Sequence, residues 1–339
     1  MRRLTIDEVL QLAAGCESCI ADGDAIRFMR LPGSLADHYR QVESRRIRME
    51  CPAGVRLRLR SNTRMLRIAV RYGESSRPFY RGSILRDGKF LAPFGSDSPS
   101  VEGWQGVVNL PALPDPKSVA EEIEVWLPHQ VGTALVSIEV DDTAAVRRGC
   151  DQSRRWLALG DSITQGMVAP LPHQAWTSVV ACELNLDLRN FGIGGAQLES
   201  ALCEAAMPWP YDVMTIAFGA NDFNHSVPPD QYAENAAKLL ARQSRDHPNA
   251  RFLLMTPTPW LGRTTNEAGC TLADYRAVLA DVVAGCPRCT LILGTELMPD
   301  DPGLFCDGLH PNAQGMSVLA HSLAPLMRKA MEIADRPNS

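Results

Sequence analysis

Two hydrophobic periods share this chain, and one gives way to the other near residue 150. From about Ile26 to Val140 apolar and polar residues alternate, as in Val55-Arg56-Leu57-Arg58-Leu59-Arg60, Ile123 to Leu127 and Val136 to Val140. A period of two marks strands with one face in a core. Ser61-Asn62, Tyr72-Gly73, Arg86-Asp87-Gly88-Lys89 and the proline-rich run 111–116 supply turns between them. Short strands at this spacing predict an antiparallel β-sandwich. Beyond Arg154 the pattern changes. Strand-length apolar runs at 156–159, 186–191, 213–218, 251–255 and 290–293 alternate with helical periods at 176–184, 197–206, 231–245, 272–284 and 311–333. That alternation predicts a parallel sheet with helices on both faces, so the chain as a whole is α/β. The polar, aperiodic stretch Asp141 to Ser153 separates the two patterns, and we expect an accessory domain at 1–148 and a second domain at 149–339. A length of 339 residues suits two domains.

The predicted parallel strands end in short polar motifs. Gly160-Asp161-Ser162 follows the first, NFGIGG closes the second at 190–195, and GAND follows the third at 219–222; DGLH, at 307–310, precedes the last helix. Ligands of open α/β sheets bind outside the carboxyl ends of the strands, where the first three motifs fall. Acyl transfer needs a nucleophile, a base within reach of it, and donors aimed at the developing oxyanion. Ser162 is the candidate nucleophile and His310 the candidate base. Asp307, three residues earlier, is spaced to meet the other imidazole nitrogen and fix its tautomer. His225 is the rival base, but no carboxylate precedes it at that spacing except Asp222, which belongs to GAND. Asp161 is expected to support the serine loop and Asp222 to serve as a turn or helix cap. A paired-carboxylate glycosidase finds no support.

In this order the four motifs resemble those of the SGNH hydrolases, or GDSL-type esterases, over residues 154–330. The resemblance implies a flavodoxin-like three-layer α/β/α catalytic domain, with a jelly-roll-like sandwich in front as in two-domain bacterial esterases. It also implies an oxyanion hole built from the Ser162 and Gly195 N–H groups and the Asn221 amide, and a catalytic set of Ser162, Asp307 and His310. The implied activity is hydrolysis of small O-acyl esters, acetyl above all, of a carbohydrate or other small molecule through an acyl-enzyme. An acyltransferase with the same machinery is the alternative, and a sugar-binding protein with an inactive catalytic domain is disfavoured because every motif residue is intact. The aromatic, proline-rich loops Met167 to Trp176, Met207 to Pro210 and Thr256 to Trp260 are candidate pocket walls, with Trp176, Trp209 and Trp260 as lining residues.

Charge and cysteine content narrow the partners. Residues 1–150 hold 21 basic against 19 acidic residues and the remainder 13 against 20, so the motif-bearing half is acidic and nucleic acid is not expected as a partner. Nine arginines between Arg45 and Arg71 read as a solvated sheet face or, more sharply, as an anion-binding strip. No apolar run approaches the ~20 residues that cross a bilayer, so no membrane partner is expected. Leu12 to Cys16 resembles a lipoprotein cleavage box, but Asp7 and Glu8 interrupt the segment before it. We read it as a mature N-terminus with an amphipathic helix presenting Ile6, Val9, Leu10 and Ala13 on one face. Ten cysteines include the pairs Cys16/Cys19 and Cys286/Cys289, in different predicted domains. Reduced thiols in a cytoplasm are favoured over a zinc site or disulfides. The reading therefore includes no metal or organic cofactor and a small-molecule ester as partner, and it specifies no oligomeric state.

Overall fold

The computed structural model describes residues 1–98, 103–111, 121–152 and 154–334, with side chains to residue 332. The turn expected at 111–116 lies, after its first residue, outside the described residues. Two compact units emerge, each drawn from more than one stretch. The first comprises Met1–Leu31, Arg46–Gln152 and Pro170–His173; the second comprises Pro32–Arg45, Ser153–Ala169 and Gln174–Ser339. Local contacts account for the exchanged pieces. Within the second unit, Leu35 and Tyr39 of the helix Gly33–Arg40 are buried, and Arg45 pairs with Glu199 at 2.8 Å. Within the first, the His173 ring stacks on Phe90 with centroids 4.3 Å apart, and its Nδ1 lies 2.8 Å from Ser83 Oγ. Burial pushes the His173 imidazole down to about 4.

The first unit is a sandwich of two six-stranded sheets in which every pairing is antiparallel. Alternating residues of both sheets supply one core, with Leu57, Leu59, Ile84, Ile123 and Val125 from one and Phe28, Leu66, Ile68, Leu135 and Ile138 from the other. The arginine run is not an open anion strip. Arg58 stands opposite Glu124 across the ladder and pairs with it at 3.0 Å, Arg67 stands opposite Glu139 at 3.0 Å, and Arg71 pairs with Asp24. Arg56 is 1% exposed and covers the Trp126 ring at 4.6 Å. Carboxylates on neighbouring strands take up part of the charge that the sequence displays as a block. The N-terminal helix runs Ile6–Leu12 with a Thr5/Glu8 capping box, but it buries Val9 and Leu12 and exposes Ile6 and Leu10. Ala13 belongs instead to a two-residue strand opposite Leu57.

The second unit is a five-stranded parallel sheet ordered Leu186–Gly192, Arg154–Gly160, Val213–Ala217, Arg251–Met255, Cys289–Ile292. The first strand in sequence lies second in space. Connections therefore leave it in opposite directions, which opens a crevice beyond its carboxyl end. Helices Trp176–Glu183, Pro229–Asp246, Leu272–Ala284 and Ala313–Ala334 return the chain between strands or close it. The helix expected at 197–206 is confined to Ser200–Glu204. No helix among the described residues is long and apolar enough to cross a membrane.

Candidate active site

Ser162 stands where the Arg154–Gly160 strand turns sharply into one turn of helix, Ser162–Gln165. The turn is tight enough to need Gly160, since a Cβ there would sit 2.1 Å from Thr164 Oγ1 and 2.6 Å from the Ala217 carbonyl oxygen. Asp161 caps the helix, its Oδ1 accepting the Ile163 N–H at 2.9 Å. Gly166, at φ 83°, ends it. Ser162 is 6% exposed, and its N–H has no acceptor among the described residues.

His310 arrives from a loop 148 residues downstream, and its Nε2 lies 2.9 Å from Ser162 Oγ. Asp307 holds the imidazole from behind. Its Oδ2 is 2.8 Å from His310 Nδ1, while Oδ1 accepts the N–H groups of Leu309 at 3.1 Å and His310 at 2.8 Å. Burial works to raise the Asp307 carboxyl, but the His310 N–H, the imidazole hydrogen bond and charge, and the Leu309 N–H outweigh it and leave the group below its ordinary value. With Nδ1 carrying the proton toward a carboxylate, Nε2 accepts from the serine hydroxyl. His225, by contrast, is an exposed residue ending the helix Ala220–Asn224.

Donors flank the serine on both sides because its strand lies between Leu186–Gly192 and Val213–Ala217. In the first flanking loop Gly195 adopts φ 80°, and its N–H also has no acceptor among the described residues. The neighbouring N–H groups are occupied: Gly194 donates to Gln165 Oε1 at 2.9 Å and Gly192 to Asn190 Oδ1 at 2.8 Å. Asn190 Nδ2 in turn donates to the Thr164 carbonyl oxygen at 2.7 Å and to Thr177 Oγ1 at 3.1 Å. Gln165 and Asn190 thus tie the glycine loop to the serine turn, a role the motifs alone do not disclose. The available signal is chemical, since both are polar and buried and such side chains must find partners. In the other loop Asn221 Nδ2 donates one hydrogen to the Ala196 carbonyl oxygen at 2.9 Å, so the two donor loops are bonded to each other. Its second hydrogen is left over.

Two carboxyls lie beneath this edge. Burial, offset in part by the Ile163 N–H and reinforced by the nearby Asp222, pushes Asp161 up to about 7. Burial likewise pushes Asp222 up to about 7, against the pull of the Leu198 N–H that its Oδ1 accepts at 3.0 Å. Asp161 supports the serine turn as expected, whereas Asp222, expected as a turn or helix cap, instead ties its helix to the distant Leu198 N–H.

The three candidate pocket tryptophans part company. Trp176 is fully buried, packs against Trp156 and donates its N–H to the Ile163 carbonyl oxygen at 2.8 Å, so it is core and holds the serine turn from below. Trp209 lies under the Arg189 guanidinium at 4.2 Å. Trp260 does line a cleft, of about 350 Å³, together with Arg263 and Arg276. Among the described residues no group of three or more histidines, cysteines or acidic residues is placed to hold a metal. Cys16 and Cys19 belong to the first unit, their sulfurs 3.8 Å apart; Cys286 and Cys289 belong to the second.

Residues 158–318 match the model of the GDSL-like lipase/acylhydrolase family. No curated protein matches the sequence. Among solved structures, the salicylyl-acyltransferase SsfX3 from a tetracycline biosynthetic pathway superposes with a TM-score of 0.80 at 20% identity, covering 96% of each chain. A Bacteroides ovatus chain described as a GDSL-like lipase gives 0.78 at 16% identity over 98% of each. A family two carbohydrate esterase from Clostridium thermocellum, in complex with cellohexaose, gives 0.63 at 16% identity over 83% of this chain and 93% of that one. At these identities the likeness is one of fold.

Proposed function

We propose that this chain, whose residues 158–318 match the model of the GDSL-like lipase/acylhydrolase family, is an acyl-transferring serine hydrolase in which Ser162 is the nucleophile in the hydrolysis of small O-acyl esters. The observation that carries the reading is the unbroken hydrogen-bond chain from Ser162 Oγ through His310 to Asp307, at 2.9 and 2.8 Å. As Oγ attacks the carbonyl carbon, its proton passes to His310 Nε2, and the imidazolium is stabilised by the Asp307 carboxylate. The oxyanion is met by the free N–H groups of Ser162 and Gly195 and by the remaining amide hydrogen of Asn221. Each such donor contributes about 2.7 to 4 kcal/mol to the transition state. Asn221 donates without carrying charge, so it favours the oxyanion without anchoring anions beforehand. His310 then protonates the departing alkoxide, and a water deprotonated by the same nitrogen releases the acyl group from Ser162. Nothing in this sequence of steps calls on a metal or organic cofactor.

The substrate we favour is an acetylated carbohydrate or similar small ester, a choice supported by the carbohydrate esterases among the fold relatives. Residues 149–339 would form the catalytic domain and 1–148 an accessory domain, in a cytoplasmic protein whose ten cysteines are free thiols. Transfer of the acyl group to another hydroxyl is the second reading, favoured by the likeness of fold to an acyltransferase over 96% of the chain. Assays of wild type and Ser162→Ala with 4-nitrophenyl acetate and acetylated sugars test the first reading. Turnover is expected to fall at least ~10³-fold in the variant, and equal rates in the two proteins refute the assignment. Product analysis with added alcohols decides between the readings, because faster acceptor acylation than hydrolysis makes transfer the reaction.

A further inference from the structure

Several arginines of the sandwich pair with carboxylates, whereas Arg263 of the second unit pairs with none among the described residues. Arg263 is half-buried, with its guanidinium carbon 4.8 Å from the Trp260 ring centroid and 5.3 Å from that of Phe223. It donates to Asn224 Oδ1, and no carboxylate pairs with it among the described residues. It lines the cleft of about 350 Å³, whose walls include Trp260, Thr271, Arg276 and Asp300. Arg276 spends donors on the carbonyl oxygens of Pro257 at 2.8 Å and Thr258 at 3.2 Å, and Asp300 offsets its charge. The charge left without a counter-ion in this cleft is that of Arg263.

The loop that lines the cleft is tied to the catalytic loop. The Leu261 N–H donates to the Gly308 carbonyl oxygen at 2.8 Å, which joins the loop bearing Trp260 and Arg263 to the loop bearing Asp307 and His310. Asn224, the partner of Arg263, lies three residues beyond Asn221 on the same short helix. A leaving alkoxide departs on the side of the imidazole that protonates it. A planar guanidinium held against two aromatic rings presents its remaining N–H groups as a fork, the geometry that matches a carboxylate.

We infer that Arg263 is a specificity-determining residue that receives a carboxylate on the alcohol half of the substrate, so that the preferred substrates are acyl esters of hydroxylated carboxylates. This rests on the esterase reading above. The bland account of the same contacts is a structural rivet, with a cation over two rings and an amide at its edge, and it predicts no preference for charge.

The experiment compares 4-acetoxybenzoate with its neutral methyl ester on wild type, Arg263→Met and Arg263→Lys. The ratio of kcat/KM for the anionic over the neutral ester is expected to fall about 10- to 100-fold in Arg263→Met, the range for losing a hydrogen bond to a charged group. Arg263→Lys restores part of it. An unchanged ratio overturns the proposal, even if both rates drop because the fold is weakened. Should wild type hydrolyse neither ester, the esterase reading fails by itself, and binding still decides the site. Titration of Ser162→Ala with benzoate, followed by tryptophan fluorescence, should saturate and should weaken by the same factor when Arg263→Met is added. No saturable change, or an equal one with and without Arg263, overturns the proposal.

Discussion

Asp307 accepts three hydrogen bonds, from the Leu309 N–H, the His310 N–H and the His310 ring, and only the last is catalytic in consequence. The two backbone bonds shape the turn; the third orients the imidazole. Asp307→Asn preserves an acceptor for the turn but offers the imidazole no negative charge. We expect kcat to fall by about 10²- to 10⁴-fold with KM little changed, the lower part of that range reflecting a carboxylate whose side chain is 52% exposed. Steady-state kinetics on a neutral ester give the split directly, and a loss confined to KM would mean that the carboxylate only binds. At this scale the sequence was most legible where a residue's job is tied to its neighbours in the chain. Ser162, Gly195, Asn221, Asp307 and His310 sit in motifs whose turn chemistry is local, and four of the five meet partners inside the site. That Trp176 is fully buried and Trp209 half-buried under Arg189 was not legible, because an aromatic residue in a loop carries no sign of which way its ring turns. Trp260 lines a cleft, while Arg263 beside it drew no notice because its lack of a counter-ion is visible only in three dimensions.

Element boundaries followed periodicity closely in the second unit, where the strand Arg251–Met255 and the helix Leu272–Ala284 begin and end where the pattern does. Periodicity overran at 197–206, since the Leu198 N–H is committed to Asp222 and the helix starts only at Ser200. It missed Gly33–Arg40 and Glu43–Glu50 altogether. A proline and glycine at the start of one helix and three arginines in the other hide an apolar face that is only a few residues wide. Asp222 links the elements beneath the site, and its carboxyl carries a pH signature. A folded value pushed up to about 7 from 3.8 means that the folded protein holds a proton between those limits that the unfolded chain releases. Its contribution to stability is therefore present below about pH 4 and is lost as pH rises toward 7. Asp222→Asn keeps the acceptor for Leu198 and removes the titration. The drop in the urea midpoint between pH 4.5 and pH 8 should be smaller in the variant, and an equal drop would place the titration elsewhere.

For the whole molecule, the change of hydrophobic period was enough to anticipate a sandwich and a parallel sheet, because each period corresponds to one way of burying a face. It was not enough to partition the chain. Residues 32–45 and 170–173 group with the units opposite to their position in sequence, through Tyr39, Arg45 and His173, none of which announces its partner. Nor did the arginine run disclose its cross-strand carboxylates, which lie more than 60 residues away in the chain. The central claim is itself a long-range one, that residues 148 apart in sequence form a single reacting unit. Treatment with a fluorophosphonate followed by peptide mass analysis tests it most directly. The account predicts one adduct on the peptide containing Ser162, none in Ser162→Ala, and labelling slowed at least ~10²-fold in His310→Ala. An adduct on another serine, or a labelling rate indifferent to His310, would contradict it.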